Sequence, residues 1–267
     1  MIEIGFHPES WKQEIGVIFK KPNKDDSTDP KSYRLISLLN CLGKISERII
    51  AERLSHFAET TDLLYNDQLG SRKQRSAIDA AITLVVDIQL NKHENKTTSV
   101  LFMDIKGAFP NLNRAQLLDI CCKIGFPFAC ISWIHSFLHS RTMKLAFDNE
   151  IMTNSVIIYT GVPQGSPVSP ILFLIYANQL FKCNAYLPVR MSSYVDDIGI
   201  QTSSRSTHEN CKILQNAAEK LVEWGQNNHI EFDMKKTELI HFDHANRSLN
   251  ESVKIKEFII KLKEVVK

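Results

Sequence analysis

The residues best placed to do chemistry in this chain are three aspartates. Asp196 and Asp197 are adjacent within Ser193-Tyr194-Val195-Asp196-Asp197-Ile198-Gly199-Ile200, and Asp104 closes the apolar run Ser99-Val100-Leu101-Phe102-Met103 roughly ninety residues earlier. The doublet falls where two short strands, 189–195 and 198–201, meet at a tight bend, so that neighbouring carboxylates lean toward one spot. Two such charges about 4 Å apart repel by roughly 4 kcal/mol at an effective dielectric of about 20. The pair must therefore sit in water, share a proton or hold a cation. An Asp-Asp pair alone is ordinary turn chemistry, but the apolar residues on both sides predict a buried hairpin rather than a polar surface loop. If the Asp104 strand ends beside that bend, the three carboxylates form an oxygen cage for hard divalent cations. Magnesium is typically held by one or two carboxylates plus substrate phosphates. Two such ions clamp the attacking and leaving oxygens of an in-line phosphoryl displacement.

The elements that must position these groups follow from periodicity. Segment 14–21 alternates through Ile15, Val17 and Phe19, and 33–39 reads as a second strand; together they predict a hairpin carrying Lys21, Lys24 and Arg34. Arg34 stands inside an apolar strand, and a buried Arg needs an anionic partner. A packing helix is expected over 43–58 through Ile45, Ile49, Ile50, Leu54 and Phe57, and another over 76–90 facing inward through Ile78, Ile82, Val85 and Val86. Arg72-Lys73-Gln74-Arg75 precedes the second helix, at an end where cations are disfavoured unless an anion binds there too.

After the Asp104 strand, helices are expected over 113–124 and 127–139. His135 and His139 have the spacing of a helical metal pair but no third ligand, so they read as ordinary surface or core histidines. Strands at 144–147 and 156–159 flank an Asp148-Asn149-Glu150 turn, and in the following 160–167 loop Gly165 permits close backbone approach to a ligand. An apolar helix over 168–181 leads to the doublet. Beyond it come an amphipathic helix over 207–224, strands at 230–233 and 238–242 around Lys235-Lys236-Thr237, and a tail, 251–267, with helical spacing at Phe258, Leu262 and Val265. This order predicts an α+β chain: an antiparallel sheet of split βαβ type with helices on one face.

Composition bounds the partners. The 267 residues suffice for one large or two modest domains, and the 43% hydrophobic and 23% charged fractions are those of a soluble globular protein. A net charge of +2 excludes a generally cationic nucleic-acid coat, so an anionic ligand must be met by local clusters. Six cysteines without Cys-x-x-Cys spacing read as reduced core thiols of an intracellular protein, with nucleus and cytoplasm both open. No secretory signal opens the chain. Its most apolar window, 171–180, is too short to span a bilayer, so no membrane partner is expected.

With these residues in place, the chain resembles the reverse transcriptases, and most closely those of non-LTR (LINE-like) retrotransposons. Tyr194-Val195-Asp196-Asp197 resembles that family's YxDD box; Phe102-Met103-Asp104-Ile105-Lys106-Gly107-Ala108-Phe109 is similar to its first palm motif and Gly161-Val162-Pro163-Gln164-Gly165-Ser166-Pro167 to its second. Lys21-Pro22 with Tyr33-Arg34-Leu35-Ile36-Ser37-Leu38 resembles the fingers motifs, and Lys236-Thr237-Glu238 the motif after the YxDD hairpin. The resemblance implies a right-hand polymerase: fingers with the start of the palm over 1–98, the palm over 99–245, and a tail at 246–267 where a thumb would begin.

It also implies that Asp104, Asp196, Asp197 and the Ile105 carbonyl hold two Mg²⁺ ions, with Mn²⁺ as the alternative, and that Lys236 gives a proton to departing pyrophosphate. Lys21 and Arg34 would pair with the triphosphate, Phe109 would exclude a ribose 2′-hydroxyl, and Gln164 and Gly165 would border the nucleotide. Tyr194 and Val195 would meet the primer end, and Arg72 and Arg75 the template. RNA template, DNA primer and deoxynucleotides are the implied partners. Leu35 stands where the family usually has Pro, Pro110 where Asp is common, and Ser71 and Gln74 depart from its template motif. The short stretch after Lys236 predicts a thumb largely missing, as in a truncated or decayed copy. The alternative to a polymerase is then a catalytically silent RNA-binding remnant.

Overall fold

The computed structural model describes residues 4–22, 26, 28–147, 150–151, 153–243 and 251–263. In chain order its elements are β1 (Gln13–Lys20), β2 (Tyr33–Leu38), α1 (Cys41–Thr60), α2 (Ala77–His93), β3 (Thr97–Asp104), α3 (Arg114–Ile124), α4 (Phe128–Leu138), β4 (Arg141–Phe147), β5 (Glu150–Ile151) and β6 (Val156–Ile158). There follow α5 (Ser169–Ala177), β7 (Arg190–Tyr194), β8 (Asp197–Ser204), α6 (Thr207–Asn227), β9 (Glu238–Phe242), β10 (Val253–Ile255) and β11 (Phe258–Ile260). They form two compact units, Met1–Leu63 with Phe109–Tyr176 and Leu64–Ala108 with Ala177–Lys267. Each unit is discontinuous in the chain, because strand pairing joins distant segments.

In the first unit β1 and β2 form the expected antiparallel hairpin, with Phe19 opposite Arg34. β1 pairs in parallel with β4, whose other partners are β5 and β6. Lys24, Asp148 and Asn149 lie outside the described residues. Arg34 is exposed, not buried, so the anionic partner that burial would have required is not called for. α1 starts on Asn40, whose side chain accepts from the backbone N–H groups of Leu42 and Gly43. It buries Ile50, Ala51, Leu54 and Ala58, but Ile45 and Ile49 are exposed and the fully buried Glu47 takes their place. Two stripes on this helix have the same period, and tertiary contact selects between them: Trp11 lies 3.3 Å from where a Gly43 Cβ would sit, and Ser166 bonds Glu47. α3 ends as its sequence predicts, on Gly125 in the left-handed region at φ 85°.

In the second unit the sheet order is β7-β8-β3-β9, antiparallel throughout. β3 is its interior: Val100, Leu101 and Met103 are 1%, 0% and 2% exposed. α6 covers one face, buries Leu214, Ala217, Ala218 and Leu221, and donates from Asn210 Nδ2 to Thr97 O at 2.8 Å and Ser99 Oγ at 2.9 Å. α2 meets the alternate set of side chains: Asn91 Nδ2 donates to Thr98 Oγ1, Ser203 Oγ donates to Asn91 Oδ1, and Asp87 accepts from Arg190 and Gln201. Helical contacts therefore occur on both sets, where one covered face was expected.

The stripe expected to face inward, Ile78, Ile82, Val85 and Val86, is exposed, and α2 buries none of its residues. Periodicity correctly marks a helix there. Its less exposed stripe is instead Ala80, Leu84, Asp87, Ile88 and Asn91, in which Asp87 and Asn91 bond polar groups on the sheet. The tail is a β-hairpin rather than a helix, with Val253 opposite Ile260. Val253 and Ile255 are buried at strand spacing, and residues 264–267, including Val265, lie outside the described residues. The 230–233 strand reduces to a single bridge, Ile105 with Phe232.

All six cysteines are free; Cys121 and Cys211 are buried, whereas Cys41 and Cys122 are exposed and so are not core thiols. Burial pushes the Cys121 thiol up to about 12 and the Cys211 thiol up to about 11, which leaves both protonated and inert. Among the described residues no helix is long and apolar enough to cross a membrane. Replacing fully buried Leu101 by Ala is expected to cost about 2–5 kcal/mol in urea unfolding, whereas Ile82→Gln on the exposed stripe should stay within about 0.5 kcal/mol. Comparable losses for the two would contradict the assigned packing of α2.

Candidate active site

Register places the acids of the second unit. β3 and β8 pair so that Asp104 lies directly opposite Asp197, which puts their Cβ atoms about 4.5–5.5 Å apart on one face. Tyr194 also pairs with Asp197, so Val195 and Asp196 form the two-residue turn of the hairpin. Asp196 is tied in through its carbonyl, which accepts from Ile105 N at 3.0 Å. Val195 has φ 61°, a left-handed conformation that costs a β-branched residue about 1–3 kcal/mol. Glycine is the usual occupant of that turn position.

The segment just before the expected template residues Arg72 and Arg75 supports this bend. Leu69 N donates to Ser193 O at 2.8 Å and Ser193 N to Asp67 O at 2.9 Å, so the segment runs along the outer edge of β7. A Cβ on Gly70 would lie 2.4 Å from Val195 N, which makes Gly70 a requirement of the turn. Arg190 locks the same segment, gripping Asp67 with Nε and Nη2 at 2.8 and 2.9 Å while Nη1 donates to Asp87 at 2.8 Å. Neither Gly70 nor this clamp was singled out from sequence; the available local signal was Asp67 shortly before Gly70.

Lys236 completes the cluster. Asp233 N donates to Asp104 O at 2.8 Å and begins the short turn Met234–Lys236, which delivers Lys236 Nζ to Asp104 Oδ2 at 2.5 Å. That hydrogen bond, with the charges of Asp104, Asp233 and Asp196, holds the lysine above its ordinary pKa. Partial burial, then the charges of Asp196 and Asp104, raises Asp197 above the usual carboxylate range, and Lys236 works against that rise.

A divalent ion would relieve this repulsion, and the donors are the hard oxygens that magnesium takes. The bridge from Ile105 to Phe232 uses Asp104 O and Lys106 N, with Lys106 N donating to Glu231 O at 2.7 Å, and neither bond uses the Ile105 carbonyl. Among the described residues no three His, Cys, Asp or Glu side chains form a ready metal cage. The set is thus an open one, chemically suited to an ion that also takes substrate oxygens and water, the way magnesium is typically held.

The expected nucleotide-binding residues belong to the first unit. Lys21 N donates to Ser32 O at 2.8 Å at the mouth of the β1–β2 hairpin. Phe109 is half-buried, tilted against Phe173 at 5.7 Å. Its carbonyl accepts from Val162 N at 2.9 Å, and Gly161, at φ 72°, would place a Cβ 2.6 Å from that same oxygen. Gln164 and Gly165 are exposed; Gln164 O accepts from Ser37 N at 2.8 Å. Gly165 does permit a close backbone approach, but the neighbour is the chain itself: a Cβ there would lie 2.4 Å from Ser37 O.

Of the template residues, Arg72 Nη1 donates to Tyr65 O and Gln68 O of its own loop, at 2.8 and 3.1 Å, whereas Arg75 is exposed. The N-terminus of α2, expected to attract phosphate, carries a capping box of Ser76 and Asp79. His135 on α4 and His139 at its C-cap are exposed and stack 5.3 Å apart.

Residues 19–260 match the family model described as reverse transcriptase (RNA-dependent DNA polymerase). The chain is 30% identical, over 93% of its length, to the RNA-directed DNA polymerase from mobile element jockey of Drosophila melanogaster, and 29% identical, over 84%, to a probable RNA-directed DNA polymerase from transposon BS of the same species. It spans about a quarter of the length of each, 27% and 25%. In fold it is similar to apo telomerase from Candida tropicalis truncated from the C-terminal domain, with TM-score 0.61 at 13% identity over 95% of this chain and 54% of that one. Telomerase from the same yeast bound to a TWJ fragment of telomeric RNA matches equally, with TM-score 0.61 at 13% identity over 90% of this chain and 42% of that one.

Gly70→Ala is expected to destabilise by about 1–3 kcal/mol, read as a lower urea midpoint, because the added methyl meets backbone rather than a flexible side chain. An unchanged midpoint would show that the Val195 turn does not depend on that close approach.

Proposed function

Since this chain belongs to the reverse transcriptase (RNA-dependent DNA polymerase) family, we propose that it is the fingers and palm of a non-LTR retrotransposon polymerase that adds deoxynucleotides to a primer 3′ end on an RNA template. The observation that carries this reading is the pairing of Asp104 with Asp197 at a sheet end, with Asp196 in the turn and Lys236 on Asp104. Asp104, Asp196, Asp197 and the Ile105 carbonyl would hold two Mg²⁺ ions. When bound, such ions activate the attacking oxygen and stabilise the leaving one. Asp104 keeps Lys236 protonated, the state required of a proton donor to departing pyrophosphate.

In the same reading Lys21 and Arg34 neutralise the triphosphate, Phe109 excludes the ribose 2′-hydroxyl, and Gln164 and Gly165 border the nucleotide. Tyr194 and Val195 meet the primer end, and Arg75 contacts template while Arg72 shapes the loop beside it. Residues 1–98 serve as fingers with the start of the palm, 99–245 as palm and 246–267 as the approach to a thumb, and the protein works inside the cell.

Primer extension on an RNA template tests this. Magnesium-dependent incorporation is expected, abolished by chelation and reduced roughly a thousandfold, about 4 kcal/mol, in Asp196→Asn. Phe109→Val should admit ribonucleotides. Activity that survives Asp196→Asn would remove the metal role, and salt-sensitive RNA binding without incorporation under any divalent ion would instead identify a silent remnant.

A further inference from the structure

The first unit buries a set of charged side chains that the chemistry above does not use, and one of them reaches the 161–167 loop. Glu47, inside α1, is 0% exposed, yet its Oε2 accepts from Ser166 Oγ at 2.5 Å. The Ser166 oxygen in turn accepts from Val168 N at 3.2 Å. The single hydroxyl proton is thus committed to Glu47 and a lone pair to the approach to α5. Ser166 N and Ser169 Oγ both donate to Pro163 O, at 3.2 and 2.8 Å, so the second half of the loop closes on itself around the Ser166 anchor.

The first half is tied elsewhere: Gly161 N donates to Leu112 O, Val162 N to Phe109 O, and Ser37 N to Gln164 O. Among the described side chains, the Glu47 contact is the one that fastens the loop to α1.

A carboxyl in such a place is costly unless its hydrogen bonds are strong ones. Its second oxygen, Oε1, lies 3.9 Å from His7 Nε2 and has no hydrogen-bond partner. Arg141 and Glu14, both buried, act on it only through their charges. The Ser166 bond is therefore the specific work that the Glu47 carboxyl performs.

We propose that Glu47 is a positioning residue for the 161–167 loop: through Ser166 it fixes the backbone that presents Gln164 and Gly165, and so sets affinity for the incoming deoxynucleotide. The kinetic half of this inference rests on the polymerase reading; the structural half does not. The hydrogen bond needs only an acceptor on residue 47, so Glu47→Gln preserves it, whereas Glu47→Ala and Ser166→Ala each remove it. Ser166→Ala deletes one oxygen and leaves the charged groups of the core in place, which guards against a variant that merely fails to fold.

Hydrogen exchange of the 160–169 backbone in the full chain is the test. Exchange about tenfold faster is expected in Ser166→Ala and Glu47→Ala, with Glu47→Gln near wild type, as loss of a hydrogen bond to a carboxylate implies. In primer extension, KM for deoxynucleotide should rise about tenfold in Ser166→Ala with kcat within about twofold. Unchanged loop exchange in Ser166→Ala overturns the positioning role whether or not the protein polymerises. Faster exchange with an unchanged KM overturns the link to nucleotide affinity. A wild-type chain that incorporates nothing removes the polymerase reading, and with it the link to nucleotide affinity, while the exchange result still decides the anchor.

Discussion

Like charges held side by side are the constraint around which the second unit is built. Asp104 and Asp197 are cross-strand neighbours, an arrangement that strand pairing ordinarily avoids. The register that imposes it is secured well away from the acids. β3 is apolar and buried through its middle, and its far end is held by Asn210 on Ser99 and Asn91 on Thr98. A slip of one residue would send Asp104 to the other face and move Leu101 and Met103 out of the packing that buries them. The burial of β3 therefore holds the carboxylates together against their own repulsion, and Lys236 supplies part of the compensating charge.

The bend that carries the doublet depends on a second arrangement. Val195 occupies a left-handed turn position without being glycine, and Gly70 gives up a side chain so that the turn can be backed closely by another backbone. Strain in one segment is matched by a missing Cβ in a segment more than a hundred residues away. The Arg190 clamp on Asp67 and Asp87 keeps that supporting segment in place. Such over-determination is what lets an unfavourable backbone conformation persist at a functional position.

The first unit follows a different rule, with polar groups buried to fix a loop rather than to meet substrate. Glycines 161 and 165 allow the loop to press against the carbonyls of Phe109, Pro110 and Ser37, and Ser166 fastens it to Glu47. Arg141, fully buried, is held by a hydrogen bond to Phe137 O at 3.0 Å and by the Phe137 ring face at 4.9 Å. The glycine approaches and the Ser166–Glu47 bond join residues far apart in the chain and shape the loop, whereas the Arg141 contacts reach only four residues back along it.

What the amino-acid order determined by itself was local: the strand ending in Asp104, the hairpin with its acidic turn, the amphipathic α6, the Asn and Gly caps, and the motifs that mark the family. Hydrophobic period, turn chemistry and motif spacing are all written within short windows of residues. Tertiary structure decided which face of each element is used. α2 shows why: its exposed apolar stripe and the stripe of Leu84, Asp87, Ile88 and Asn91 are equally helical, and contact with the sheet, including polar bonds to β3, β7 and β8, selected the second. The same holds for Ile45 and Ile49 against Glu47 on α1, and for a tail whose apolar spacing admitted a helix until strand pairing claimed it. A side chain's partner is a property of the whole fold, and no window of neighbouring residues contains it.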